Sequence, residues 1–160
     1  MKRSIIALVF VLISLSAFTE SPHFVRYYYD DGVPKAEGWV NAFQKTGYWY
    51  LYYPNGVISS KGHYQEDMRS DYWYFYELDG KMMREGHYTD GEMSGWWLYY
   101  DQQGQLDYKC QLVHGQKHGY CLKYEHENLV SAVKYENGKR IKEWFSLQSF
   151  KRENNLLDLK

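Results

Sequence analysis

EGHYTDGEMSGWWLYYDQQG, Glu85 to Gly104, is the stretch from which the rest of the chain can be read. Tyr88 closes one extended run, Gly91 and Gly95 punctuate a turn, Trp96 to Tyr100 form a short aromatic strand, and Gly104 marks the next turn. Aromatic runs between Gly-containing turns signal β-hairpins, because flat rings suit a pleated surface and Gly supplies the backbone angles of a tight reversal.

Outward from this stretch the pattern repeats. Segments beginning at His23, Gly47, Asp71, Gly95 and Gly119 align with a period of 24 residues, and Glu143 opens a partial sixth unit. Self-similarity at a fixed period of this length indicates a repeat architecture. Each unit reads as aromatic strand, turn, second strand, second turn. One such hairpin is marginal in water, so the units are expected to stack edge to edge into an elongated, twisted, all-β single sheet of antiparallel hairpins. Ten strands about 4.8 Å apart would span about 45 Å.

The columns of the repeat have physical meanings. Gly32, Gly56, Gly80, Gly104 and then Asn128 share one column, which predicts a left-handed turn residue in every unit, since Gly and next Asn tolerate positive φ best. The second turn carries Asp67, Gly91, Gly115 and, shifted by one, Gly138. Trp49, Trp73 and Trp97 share a column with Cys121, and Ile58, Met82, Leu106 and Val130 share another; both are expected on one dry face. Tyr50, Tyr52, Tyr74, Tyr76 and Tyr100 then line the opposite, more accessible face, although a one-residue change of register would exchange the two. With Tyr99 these tyrosines form the candidate binding surface, since Tyr combines large contact area with a polar tip and is enriched at interfaces. Units 23–148 make the repeat domain and 149–160 form a cap or tail; over Trp144 to Lys160 a last strand with a ragged cap and a short helix are both open.

The N-terminus reads differently. Lys2 and Arg3 precede an apolar run, Ile5 to Ile13, and then small residues, the pattern of a secretory signal peptide over residues 1–19. Export to the periplasm or the exterior is the expectation. Removing Lys2 and Arg3 leaves 17 basic against 20 acidic side chains, a net charge of −3. Such a balance offers no basic patch for nucleic acid or for an anionic membrane surface.

No nucleophile–base–acid set, phosphate loop or paired-carboxylate motif is visible, so the chain reads as non-enzymatic, with no cofactor and no metal. His63 and His87 recur with the period, which marks a structural column. Cys110 and Cys121 flank the Gly115 turn, with His114 and His118 between them. That spacing leaves two readings open: a zinc site, or a disulfide across adjacent strands of an exported protein. The counterparts of the two Cys one unit earlier are Gly86 and Trp97, a small residue across from a large one.

The unit resembles the MORN-type repeat in its bacterial variant. The resemblance rests on Tyr88, Gly91, Gly95, Trp96 or Trp97, Tyr99, Tyr100 and Gly104, and again on Gly62, Tyr64, Trp73, Tyr76 and Gly80. It covers roughly residues 24–148 and weakens after Gly119, where Cys121, Lys123 and Asn128 depart from the pattern. The resemblance implies a scaffold or interaction surface whose partner is another protein. Bacterial proteins of this kind often carry a YwqK-type antitoxin label, which implies an immunity role. A second resemblance, to choline- and glucan-binding cell-wall repeats, implies a glycan or choline ligand held by aromatic rings.

Overall fold

The structure, a computed structural model, describes residues 21–159; the expected signal peptide lies outside the described residues. The strands are β1 His23–Tyr28, β2 Pro34–Asn41, β3 Gln44–Tyr52, β4 Ile58–Gln65, β5 Met68–Tyr76 and β6 Met82–Thr89. They continue as β7 Glu92–Tyr100, β8 Leu106–Val113, β9 Gln116–Glu125, β10 Asn128–Glu136 and β11 Lys139–Trp144. All join one open 11-stranded sheet in sequence order, each strand antiparallel to the next. The sheet has one strand more than the ten expected: β11 runs from the end of the fifth unit into the partial sixth. The helix α1, Leu147–Glu153, and a short 3-10 helix, Leu156–Leu159, follow. Ser146 caps α1 by accepting a hydrogen bond from the Ser149 amide, and Lys151 and Arg152 stand in its last turn, where cations favour the helix end.

The two ends of the sheet turn by different devices. At one end Gly32, Gly56, Gly80 and Gly104 lie at φ of 81–85°, and each amide donates to the carbonyl three residues back. These turns are also stapled between units: the Tyr29 hydroxyl donates to the Tyr52 carbonyl and the Tyr53 hydroxyl to that of Tyr76. Asn128 departs from this column. It begins β10, and the turn before it is made by His126 (φ 48°) and Glu127 (φ 65°). Glu125 pairs with Asn128, so the reversal is a two-residue loop with no place for a later left-handed residue. At the other end all turns are two-residue loops, such as Asp90-Gly91 and His114-Gly115, with both residues at positive φ.

A second left-handed column lies inside the aromatic strands. Gly47, Asp71, Gly95 and Gly119 all have positive φ, within the aromatic strand of each unit. There the ladder slips: between the pairs Glu37↔Tyr50 and Trp39↔Thr46, three residues of β3 face one of β2. The bulge swings the indole that follows it onto the adjacent glycine. The rings of Trp49, Trp73 and Trp97 cover Gly38, Gly62 and Gly86 so closely that a Cβ there would fall 2.3–2.5 Å from a ring atom. Each indole N–H then donates to a carbonyl of the neighbouring strand, that of Trp39, His63 or His87.

Candidate interaction face

A one-layer sheet must shelter its core without a second layer, and here the core face does so with its own side chains. Trp49, Trp73 and Trp97 are 0% exposed. Tyr64 and Tyr88 stand edge-on between them. Arg69 lies over Trp73 at 4.6 Å, Arg84 over Phe75 at 4.6 Å, and Lys45 over Tyr64 at 4.9 Å. Long cationic stems thus roof the rings while their charges sit against the π faces. Cys110 and Cys121 face each other in register and are joined by a disulfide at the end of this core. With the sulfurs bonded to each other, neither is available to zinc. His114 instead pairs with Glu92 at 2.8 Å in the open.

Two expectations about the faces need correction. Ile58, Met82 and Leu106 do not share the Trp face. A bulge after each glycine turn sets them opposite Tyr52, Tyr76 and Tyr100. Their places beside the tryptophans go to Leu51, Phe75 and Tyr99. Tyr99 accordingly leaves the candidate binding surface: it stacks on Tyr108 at 4.4 Å and packs against the Trp core.

Tyr50, Tyr52, Tyr74, Tyr76 and Tyr100 lie together on the opposite face, half-buried or, for Tyr50, 36% exposed. The register reveals what organises them. One unbroken row crosses the whole sheet with one residue per strand: Arg26, Glu37, Tyr50, Lys61, Tyr74, Glu85, Leu98, Lys109, Leu122, Ala132 and Trp144. Tyrosines are tied to its charges. The Tyr52 hydroxyl donates to Glu37 at 2.7 Å and the Tyr100 hydroxyl to Glu85 at 2.5 Å. Lys61 lies over Tyr74 at 5.3 Å and Tyr76 at 5.6 Å, and Lys109 over Trp96 at 4.7 Å. Burial, then the bond to Glu37, pushes the Tyr52 phenol up to about 12. Burial, then Glu85, raises Tyr100 further and holds Tyr72 at about 12. The Tyr52 hydrogen bond, with Arg26, holds Glu37 below its usual range, and burial lowers Lys109. His63 and His87 stand on this face against Tyr48 and Tyr72.

At its C-terminal end the same face is covered. Ala132 holds the place that Lys61, Glu85 and Lys109 hold in earlier units, and Phe150 of α1 seats 5.3 Å from the rings of both Tyr120 and Trp144. Phe150, Ala132, Leu122, Tyr120 and Trp144 form a second buried cluster. From the sequence, the recurrence of Glu37, Lys61, Glu85 and Lys109 at the period of 24 was the available signal for the row. The bulges that align it carry no such signal at Asp71.

Set against known proteins, residues 45–66 match the MORN repeat variant. The match spans β3, the glycine turn and β4, which is one unit of the array, and supports a MORN-like repeat protein. No curated protein matches the chain. Repeats of this family commonly serve as binding modules for proteins or membranes and are generally non-enzymatic.

Proposed function

We propose that this chain is an exported, non-enzymatic scaffold that binds another protein through its tyrosine face. The observation that carries the reading is a face on which Tyr50, Tyr52, Tyr74, Tyr76 and Tyr100 gather along a row of charged groups. The helix α1 covers this face only at β9 to β11. Side chains already ordered by hydrogen bonds lose little freedom on docking, which favours a protein partner. A choline ligand fits less well, because Lys61 and Lys109 already occupy the ring faces a quaternary ammonium would need. Export rests on the charged and apolar N-terminal pattern and agrees with the disulfide.

The test is a capture experiment from an envelope fraction. Tyr76→Ala combined with Tyr100→Ala should abolish capture while circular dichroism shows the sheet intact. Undiminished capture by that folded variant would refute the face. Mass spectrometry of protein recovered from the envelope should find the first 16–19 residues gone; an intact N-terminus would refute processing.

A further inference from the structure

The row through Tyr74 alternates in sign along the sheet: Glu37, Lys61, Glu85, Lys109. Each charge stands two strands from the next, about 9.6 Å. Tyr74 is in register with both Lys61 and Glu85 and lies midway between them. Reversing the row about Tyr74 exchanges Lys61 with Glu85 and Glu37 with Lys109, so the sign inverts at these four positions, while Arg26, paired with Glu37 in its own chain, falls opposite Leu122. A surface whose charges invert under such a reversal is complementary to a second copy of itself related by a two-fold axis.

We infer that this face is a self-association surface. Two copies pack tyrosine face to tyrosine face about a two-fold axis along β5, with Lys61 of each protomer against Glu85 of the partner subunit. The inference rests on the reading of this face as protein-binding, and it names the partner. The outer contacts, Glu37 to Lys109 of the partner subunit, add less, because Glu37 is already paired with Arg26. Moving the axis by one strand to β4 or β6 sets Lys61 against Lys61 or Glu85 against Glu85, and like charges so placed reject that register. Of the strands symmetric about β5, those from β2 to β8 are left uncovered by α1. Seven strands of eight or nine residues, about 27 Å long, present about 900 Å² per protomer, or about 1,800 Å² in all, within the range of stable interfaces. Facing sheets about 10 Å apart leave room for the two layers of side chains. The helix α1 does not obstruct this arrangement. It covers β9 to β11; β10 and β11 lie beyond the partner sheet's edge, and β9, which faces only the edge strand β1 of the partner subunit, lies outside the contact from β2 to β8.

Light scattering on the purified protein over a concentration series should give twice the monomer mass. Lys61→Glu and Glu85→Lys each place two pairs of like charges in the dimer, and each alone should weaken it by about 100-fold or more. Mixing the two variants should restore a dimer. One chain is then acidic at both positions and the other basic at both, so each contact across the axis again joins opposite charges. The double variant Lys61→Glu with Glu85→Lys should restore it too. Rescue on mixing requires both chains to be folded, so misfolding cannot imitate the expected result. A monomeric wild-type protein at about 100 μM, dimers that survive either single reversal, or no rescue on mixing would each overturn the inference. A wild-type monomer that still captures a different protein through Tyr76 and Tyr100 overturns self-association alone. A wild-type monomer that captures nothing overturns the protein-binding reading with it.

Discussion

Gly86 and Gly80 are six residues apart and are both glycine for unrelated reasons. Gly86 lies under the Trp97 indole, where a Cβ would fall 2.5 Å from the ring, whereas Gly80 has φ 85° and nothing nearer than 3.7 Å. Gly86→Ala should therefore cost about 3 kcal/mol or more by overpacking, and Gly80→Ala about 1 kcal/mol of backbone strain; urea denaturation orders them. Asp71 shows the converse. It sits at φ 58° where its counterparts Gly47, Gly95 and Gly119 are glycine. Asp71→Gly should raise stability by about 0.5–1 kcal/mol in the same assay, since the strain of a left-handed non-glycine residue is relieved. The turn glycines were legible in the sequence because they recur in an unbroken column. This second column was not, because Asp71 interrupts it and a residue inside an aromatic run gives no turn signal. The Tyr52 phenol supplies a pH test. Its folded value of about 12 exceeds its ordinary value of 10.0, so its contribution is complete below pH 10 and is lost as pH rises toward 12. Tyr52→Phe should be less stable than wild type at neutral pH yet lose less stability across that interval, as read by denaturation at successive pH values.

Hairpins, their order and their turns could be read from periodicity, since a period-2 aromatic strand between glycine turns admits few alternatives. The faces could not. A strand carrying rings on both sides has no polar face to fix its orientation, and each bulge exchanges the columns beyond it. That is how Ile58 came to lie opposite Tyr52 and how Tyr99 joined the core. The C-terminal helix was equally open to a strand reading. It is decided by Ala132, whose small side chain leaves a seat for Phe150 between Tyr120 and Trp144. Phe150 is 0% exposed, so Phe150→Ala should cost about 3–5 kcal/mol. Because α1 packs on the last strands alone, the loss should appear first as exposure of Trp144. Its fluorescence should shift to the red at urea concentrations where the amides of β3 to β7 remain protected from exchange.

The molecule as a whole is a one-dimensional array, and its strand order has no crossover. In such an array each unit is held by its two neighbours, so a unit should be removable without loss of the fold. Asp71 and Gly95 open successive units and occupy the same position in β5 and β7. Excising residues 71–94 joins Ser70 to Gly95 and rebuilds a nine-residue strand, from Met68 to Ser70 and Gly95 to Tyr100, that faces β4 on one side and β8 on the other. The junction restores an indole over a glycine, with Trp97 arriving above Gly62 where Trp73 had been. It also keeps Tyr64 beside a tryptophan, as it is in the intact chain. The shortened chain should fold cooperatively to a nine-stranded sheet. Its denaturant slope should fall by about one-fifth, in proportion to the surface it no longer buries. The terminal cluster of Tyr120, Trp144 and Phe150 lies two or more strands from the cut and should keep its protection from exchange. A chain that fails to fold, or whose terminal cluster opens, would show that the sheet depends on contacts beyond nearest neighbours, and the additive description of the array would then be wrong.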